Sequence, residues 1–427
     1  MQKILQWKLA FLARLYLWRY KPIIIGVTGN AGKTSTKEMI GAVMRTVKRV
    51  RVAGGNLNNE LGLPLTILGN FDQEYYEKGP SLWFWFKVLL VSSLQFLVYS
   101  NYPEVLVLEY GADMPGDIKK LASMYKPHIS VVTTVGDVPV HVEFFKDANV
   151  LADEKSNLVR VLSANDYAIL NHDDPRVLGM QSKTKAHVIT YGFDQTATIR
   201  ASDIEYMSSD EGRPLGMTFK LNHNDTFVPI RIEGSLGKSQ AWSTSAAAAV
   251  GSVFGINLVQ VSEALSTYHG PKGRLKILHG IHNSNIIDDT YNASPASTRL
   301  ALKTLRDVPA LRKIAVLGDM LELGKHSEKS HQEIIKFASE VADIVIGVGS
   351  RMSNRPDLLQ QVGPVRLSFE NSDEAKVKVK ELIQEHDLIL IKGSQSMRME
   401  KIVKEIMAEP ENAKSLLVRQ SHRWLMK

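Results

Sequence analysis

The sequence predicts an α/β protein: a phosphate-loop central domain with a parallel sheet, followed by a Rossmann-like, doubly wound C-terminal domain. Three observations predict it. A buried strand, Ile23-Ile-Ile-Gly26, runs into a glycine-rich turn and then a helical stretch. Short apolar strands alternate with helical stretches from residue 21 to about 190. The same rhythm begins again after residue 274.

The bulk properties agree. A chain of 427 residues has a prior of two or three domains. A hydrophobic fraction of 44% with 23% charged residues buries a large core. With no cysteine, disulfides and cysteine-ligated metals are excluded. The net charge of +7 is dispersed, without a Lys/Arg-rich block, so phosphate-bearing small molecules explain it at least as well as nucleic acid.

Residues 1–20 are apolar and aromatic but interrupted by Lys3, Lys8, Arg14 and Arg19, and no small-residue cleavage site follows. They read as a helix on an interface or on the protein surface, not as a secretory signal. The next element carries the strongest motif. In Thr28-Gly29-Asn30-Ala31-Gly32-Lys33-Thr34, followed by Ser35, backbone N–H groups can wrap a phosphate at a helix N-terminus. Lys33 would reach the β/γ-phosphates and Thr34 would put a hydroxyl on Mg²⁺. The match is imperfect: Val27 stands where the common form has its first glycine, and the glycines fall at Gly26 and Gly29.

Residues 82–99 form a second apolar stretch, close to the ~18–20 residues that can span a bilayer. Lys87, Ser92, Ser93 and Gln95 dilute it, and a single crossing would separate the loop from every later motif. A buried or partner-facing helix ranks first, a membrane-surface helix second and a span last.

Strands are expected at 105–109, 129–133 and 168–171, a small antiparallel piece within 187–233, and helices at 240–254 and near 258–268. Gly270-Pro-Lys-Gly-Arg274 reads as a hinge. Further strands are expected at 286–288, 313–317, 344–348 and 388–392.

Polar clusters sit at or just past these strand ends, where open α/β sheets place ligands. Glu109 closes a buried strand and is either a Mg²⁺ ligand or an ordinary strand-end acid. His141 follows the 129–133 strand and precedes a helix with Asp153, Glu154 and Lys155. Asp288-Asp289-Thr290-Tyr291-Asn292 suits a nucleotide- or substrate-facing loop, or equally a helix N-cap. Asp319 and Glu322 lie in Gly318–Gly324, with His331 beyond, and Lys392-Gly393-Ser394 opens onto a helix N-terminus that could hold an anion.

Together these clusters and the string Gly55-Asn56-Leu57-Asn58-Asn59-Glu60-Leu61-Gly62 resemble the Mur ligases, most closely the MurF type, from about residue 20 to about 405. The resemblance implies an ATP-dependent amide ligase of peptidoglycan precursor synthesis, adding D-alanyl-D-alanine to a muramoyl-peptide carboxylate through an acyl phosphate. Positioning and charge neutralisation carry such a step. The resemblance further implies ATP and two Mg²⁺ ions. Thr28 to Ser35, Arg274, Asp288 and Asn292 would meet the nucleotide, and Thr34, Glu109 and His141 the metal. Lys155, fourteen residues after His141, matches the lysine that the family carbamoylates, although on pattern alone it reads as a solvated helix lysine. Asn56, Asn58, Asn59, Asp319, Glu322, Lys392 and Ser394 would face substrate, and Lys33, Glu109, His141, Lys155 and Arg274 the chemistry.

Three departures qualify the match. About 20 residues precede the loop strand, where the family carries a UDP-binding domain. Residues 78–101 look like an insertion. Ser239, Gln240 and Ser243 stand where the family has adenine-contacting histidine and asparagines. The expected organisation is an N-terminal helix (1–20), a central domain (21–273) and a C-terminal domain (274–427). The expected setting is the cytoplasm at the inner membrane face, with peripheral membrane contact through 1–20 and 82–99 and no nucleic acid. Oligomeric state is left open. The alternatives are a related ligase with a different, non-UDP or lipid-linked, carboxylate acceptor, a P-loop switch and a silent scaffold. The switch is disfavoured because Asp113-Met-Pro-Gly116 has no N-K-x-D motif to accompany it.

Overall fold

The computed structural model describes residues 2–98, 101–136, 145–353 and 365–426. After helix α1 (Gln2–Tyr20) the chain enters β1 (Ile23–Thr28) and α2 (Lys33–Met44). There follow β2 (Val50–Val52), α3 (Gly62–Leu68), α4 (Asp72–Lys78), α5 (Leu82–Val98), β3 (Val105–Glu109) and α6 (Asp117–Met124). Next come β4 (Ile129–Val132), α7 (Ala148–Arg160), β5 (Tyr167–Asn171), α8 (Pro175–Leu178) and β6 (His187–Gly192). Then β7 (Ile199–Ser208), β8 (Pro214–His223) and β9 (Thr226–Glu233) lead into α9 (Lys238–Val253) and α10 (Leu258–Leu265).

These strands form one nine-stranded sheet in the order β2-β3-β1-β4-β5-β6-β7-β8-β9. Strands β1, β3, β4 and β5 are near-continuous apolar runs because both faces are covered, whereas β7 to β9 mix buried and exposed residues. Along β1, Ile24 joins the core under α1, α3, α5, α6 and α7. Ile25 and Val27 join the core under α2, α9 and α10. The register sets Glu109 beside Val27, one residue before the loop, and Val132 beside Thr28. The ends of β1, β3 and β4 therefore converge on one edge.

The small antiparallel piece expected within 187–233 is present. The β7-β8-β9 meander is antiparallel, but β6 pairs in parallel with β5 and β7, so the meander extends the same sheet. The 82–99 segment is α5, half-buried: Phe84, Trp85, Val88 and Ser92 face inward. The Tyr16 hydroxyl of α1 donates to the Ser92 carbonyl at 2.7 Å, fixing α1 beside α5. Among the described residues no helix is long and apolar enough to cross a membrane.

The second sheet begins with β10 (Lys276–His279), antiparallel to β11 (Asn285–Asp289). After α11 (Pro295–Asp307) come β12 (Lys313–Gly318), α12 (Ser327–Val341), β13 (Ile344–Val348), α13 (Ser350–Ser353) and β14 (Val365–Phe369). Then α14 (Ser372–Leu382), β15 (Leu388–Lys392), α15 (Glu400–Ile406), α16 (Ala413–Leu416) and α17 (His422–Leu425) close the chain. The order β10-β11-β15-β12-β13-β14 brings the ends of β11, β15 and β12 side by side. The helix cap near Asp288 is Ser294, whose hydroxyl accepts from Ser297, and not either acid. The helix after Lys392 starts only at Glu400, behind a single 3₁₀ turn.

Candidate active site

Strand β1 ends at Thr28, whose hydroxyl is spent inside the fold, donating to the Tyr110 carbonyl at 2.9 Å. Gly29 then has φ 143°, and a Cβ there would sit 1.9 Å from Thr133 Oγ1. Only glycine lets the loop lie against the end of β4. Asn30 N–H donates to the Thr134 carbonyl at 2.6 Å, and Thr133 Oγ1 donates to the Ala31 carbonyl at 2.7 Å. Gly32, at φ 82°, turns the chain into α2, whose first residues are Lys33, Thr34 and the buried Ser35. The loop is thus a preformed cradle held from β4, with a helix N-terminus at its mouth.

Glu109 is the nearest acid and is buried. Its Oε2 lies 3.0 Å from Lys37 Nζ and its Oε1 3.9 Å from Lys33 Nζ. Asn58 Nδ2 donates to Oε1 at 3.3 Å. Burial alone would raise this carboxyl, but the Lys37 and Lys33 charges more than offset it and hold it below the ordinary value. Lys33 itself is pushed down by burial, with Glu109 opposing.

Lys155, on α7, is buried, and its Nζ donates to the Gly29 carbonyl at 3.2 Å. Burial first, then the Lys33 charge, pushes its ammonium down to about 7. A buried amine that loses its proton near neutrality is a nucleophile, unlike the solvated lysine the pattern alone suggested. His141 lies outside the described residues.

Arg274 joins the two sheets at this point. Its Nη2 is 3.4 Å from Thr34 Oγ1, and its guanidinium stacks 4.0 Å from the centre of the Tyr291 ring. Its Nε is buried without a hydrogen-bond partner. Lys33 and Lys37 face Glu109, while Lys155 and Arg274 reach the loop at Gly29 and Thr34, a cluster of cations suited to a polyphosphate, with Glu38, Asp113 and Glu154 adding negative charge nearby.

The donor set fits Mg²⁺. Magnesium keeps most of its oxygen ligands from phosphates and water and takes one or two from protein. Thr34 Oγ1 and Glu109 supply that number. Among the described residues no group of three or more His, Asp or Glu forms a self-contained metal cage.

The remaining candidates divide. Asp288 Oδ1 accepts from Thr290 N–H and Oγ1, while its Oδ2 is buried without a partner and burial pushes the carboxyl up to about 6. Asn292 is exposed; its carbonyl accepts from Lys392 Nζ at 2.9 Å, and Lys392 pairs with Asp289 at 2.6 Å. Ser394 Oγ accepts from Leu321 N–H at 2.8 Å. Asp319 accepts from the backbone of Arg351 and Met352, anchoring the start of α13. Asn59 Oδ1 accepts from Leu61 and Gly62 N–H, and Asn56 pairs with the Tyr76 hydroxyl. Glu322 is exposed at φ 64°. His331 Nε2 accepts from Met320 N–H at 3.0 Å, a structural position. Of the adenine-position residues, Ser243 Oγ accepts from Thr36 inside the α2–α9 contact and Gln240 donates to the Arg274 carbonyl.

Sequence reasoning missed Lys37 and Arg419, and named Tyr291 only as part of the 288–292 loop, without its stack on Arg274. Lys37 precedes Ile40 and Met44 at helical spacing, so it lies on the apolar face of α2, and that was the available signal. Arg419 returns from the C-terminal segment to hold the Thr290 and Tyr291 carbonyls and Glu400.

Comparison with known proteins gives a consistent picture. Residues 89–250 match the Mur ligase middle domain and residues 273–395 the Mur ligase glutamate ligase domain. The UDP-N-acetylmuramoyl-tripeptide–D-alanyl-D-alanine ligase of Bacillus subtilis is 31% identical over 403 residues, which cover 93% of this chain and 79% of that protein. Its namesake in Rickettsia prowazekii is 29% identical, covering 90% and 78%. The ADP complex of MurF ligase from Thermotoga maritima superposes with a TM-score of 0.75 at 24% identity, covering 95% of this chain and 84% of that one.

Proposed function

The chain belongs to the Mur ligase family, and we infer that it is an ATP-dependent ligase that joins D-alanyl-D-alanine to a muramoyl-tripeptide carboxylate. The observation that carries this reading is the meeting of the phosphate loop and Arg274 at Thr34, with Lys33, Lys37 and Lys155 gathered around the loop and Glu109. When bound, ATP with Mg²⁺ supplies the phosphoryl group that activates the carboxylate as an acyl phosphate, which the incoming amine displaces with loss of phosphate.

The chain's own residues hold and neutralise. Loop N–H groups from Ala31 to Thr34 face the phosphates, while the Asn30 N–H holds the loop to Thr134, and Lys33 balances the charge that develops on the phosphates. Glu109 and the Thr34 hydroxyl would hold the metal, and Lys37 keeps Glu109 ionised and oriented. Arg274 spans to the phosphates through its free Nε, and its stacking on Tyr291 couples nucleotide binding to closure of residues 274–427 over 21–273. Closure excludes water from the acyl phosphate.

A second ion needs an anionic ligand that Lys155 lacks as an amine. Its neutral Nζ would add to CO₂, a C–N bond forming as one C=O π bond opens and one N–H proton passes to water, and the carbamate oxygens, with His141, would hold that ion. The amine pKa of about 7 supports this step.

The test is direct. Purified protein is incubated with ATP, Mg²⁺, UDP-N-acetylmuramoyl-tripeptide and D-alanyl-D-alanine, and phosphate and product mass are measured. One phosphate per amide product is expected. Release of phosphate only with a different carboxylate acceptor would assign the chain to another acceptor class of the family.

A further inference from the structure

Helices α1 and α5 cover the same face of the nine-stranded sheet, and each has two apolar faces. Inward, Leu9, Ala13 and Tyr16 of α1 and Phe84, Trp85 and Val88 of α5 join one core. Outward, where a surface helix is ordinarily polar, α1 exposes Ile4, Trp7, Phe11 and Trp18, and α5 exposes Trp83, Phe86, Leu90, Leu94 and Leu97. Both sets recur at spacings of three, four or seven residues, so each forms a stripe along its helix. Exposure reaches 73% at Trp18 and 72% at Trp83, values that indicate whole indole rings in solvent. Each stripe carries a stacked ring pair, Trp7–Phe11 at 5.8 Å and Trp83–Phe86 at 5.5 Å.

We propose that this two-helix surface seats on an anionic lipid bilayer, as an interfacial docking face. The charge pattern selects lipid over a protein partner. Residues 1–21 and 81–98 contain no Asp or Glu, while Lys3, Lys8, Arg14, Arg19 and Lys21 lie in the first of these stretches. On α1, Lys3 falls to one side of the aromatic stripe and Lys8 and Arg19 to the other, the arrangement of a helix lying in the headgroup plane. Lys87 is drawn toward Glu74, at 2.7 Å, and adds little. Tryptophan is the side chain best suited to the headgroup boundary, and basic residues add attraction to acidic headgroups. No described helix is long and apolar enough to cross, so the seating is peripheral. The active-site loops lie at the ends of β1, β3 and β4, and the docking face lies on the outer side of α1 and α5, so the enzyme can dock and turn over together.

The test is vesicle flotation of the full chain, with phosphatidylcholine vesicles compared against phosphatidylcholine containing phosphatidylglycerol. Binding to the anionic vesicles is expected, weakened by high salt. The combined variant Trp7→Gln, Phe11→Gln, Trp83→Gln, Phe86→Gln should lower the bound fraction by about tenfold or more, with ligase turnover in solution unchanged. Because these side chains are exposed, the variant should fold, and retained turnover checks that it has. Absence of binding to anionic vesicles, or equal binding by the variant, overturns the proposal. So does a stable lipid-free dimer that the same variant dissociates, which would assign the face to a second copy.

Discussion

Lys37 and Glu109 form a buried ion pair beneath the phosphate loop, Nζ 3.0 Å from Oε2, with the lysine side chain fully enclosed. Lys37 also donates to the Gly55 carbonyl, so one ammonium ties the start of α2 to the acid of β3 and to the asparagine-rich loop. Lys37→Met is expected to leave Glu109 buried beside Lys33 alone and to cost about 3–5 kcal/mol of stability. Glu109 titrates below its usual value, so its contribution is present above about 4.5 and is lost as pH falls through its lowered folded-state pKa. Chemical denaturation across acid pH should show that loss in the wild type and a much shallower one in the variant.

That pair also marks how far the sequence was legible. Strands such as Val105–Glu109, Ile344–Val348 and Leu388–Lys392 were readable because five apolar or strand-end residues bounded by polar turns have few other uses in an α/β chain. Val50–Val52 and Lys276–His279 were not, being three- and four-residue edge strands whose pairing is decided by their neighbours. The loop, Glu109 and Arg274 were named together from the motif and the family resemblance, and the fold brings them to one place. Polar residues that satisfy backbone groups were less so: Asn59, Asp319 and His331 have the chemistry of ligands, and only geometry shows that their polar atoms hold loops and helix starts. Lys37 was overlooked for the opposite reason, because a lysine in an amphipathic helix ordinarily points to water.

Lys155 should impose a pH signature. Its folded-state ammonium titrates near 7 against an ordinary 10.5, so between those values the unfolded chain holds a proton that the folded chain lacks. Stability therefore rises with pH across that window, the burial penalty being full below about 7 and gone above 10.5. Lys155→Met should flatten this slope in denaturation curves taken from neutral to alkaline pH. For the carbamate, Lys155→Ala should abolish ligation, with partial recovery on adding formate or acetate; full activity without either would remove the carbamate from the mechanism.

Arg274 acts at the junction of the two sheets. Arg274→Ala removes both the contact to Thr34 and the stack on Tyr291, and kcat/KM for ATP should fall on the order of 10²-fold or more. Arg274→Lys keeps the charge but loses the planar stack, and should recover only a minor part. Tyr291→Phe preserves the ring and should sit close to wild type, while Tyr291→Ala should raise KM for ATP more than it lowers kcat. Steady-state kinetics on these four variants separates the charge from the stack.

Gly29 offers the sharpest test of the cradle. A Cβ there meets Thr133 Oγ1 at 1.9 Å and the Thr134 backbone nitrogen at 3.1 Å, and the φ of 143° is itself a glycine conformation. Gly29→Ala should therefore displace the loop from β4, breaking the Asn30 N–H to Thr134 bond and moving the Gly29 carbonyl away from Lys155. Nucleotide affinity should drop sharply while the rest of the sheet stays folded. Thr133→Ala removes the closest clashing atom but also the hydroxyl that holds the Ala31 carbonyl. The double variant should thus be better than the product of the two single losses yet still short of wild type, because the backbone contact and the strained φ remain. Isothermal titration of ADP with Mg²⁺ on the three variants measures that coupling, and strict additivity would mean that the loop is not held against β4 at this point.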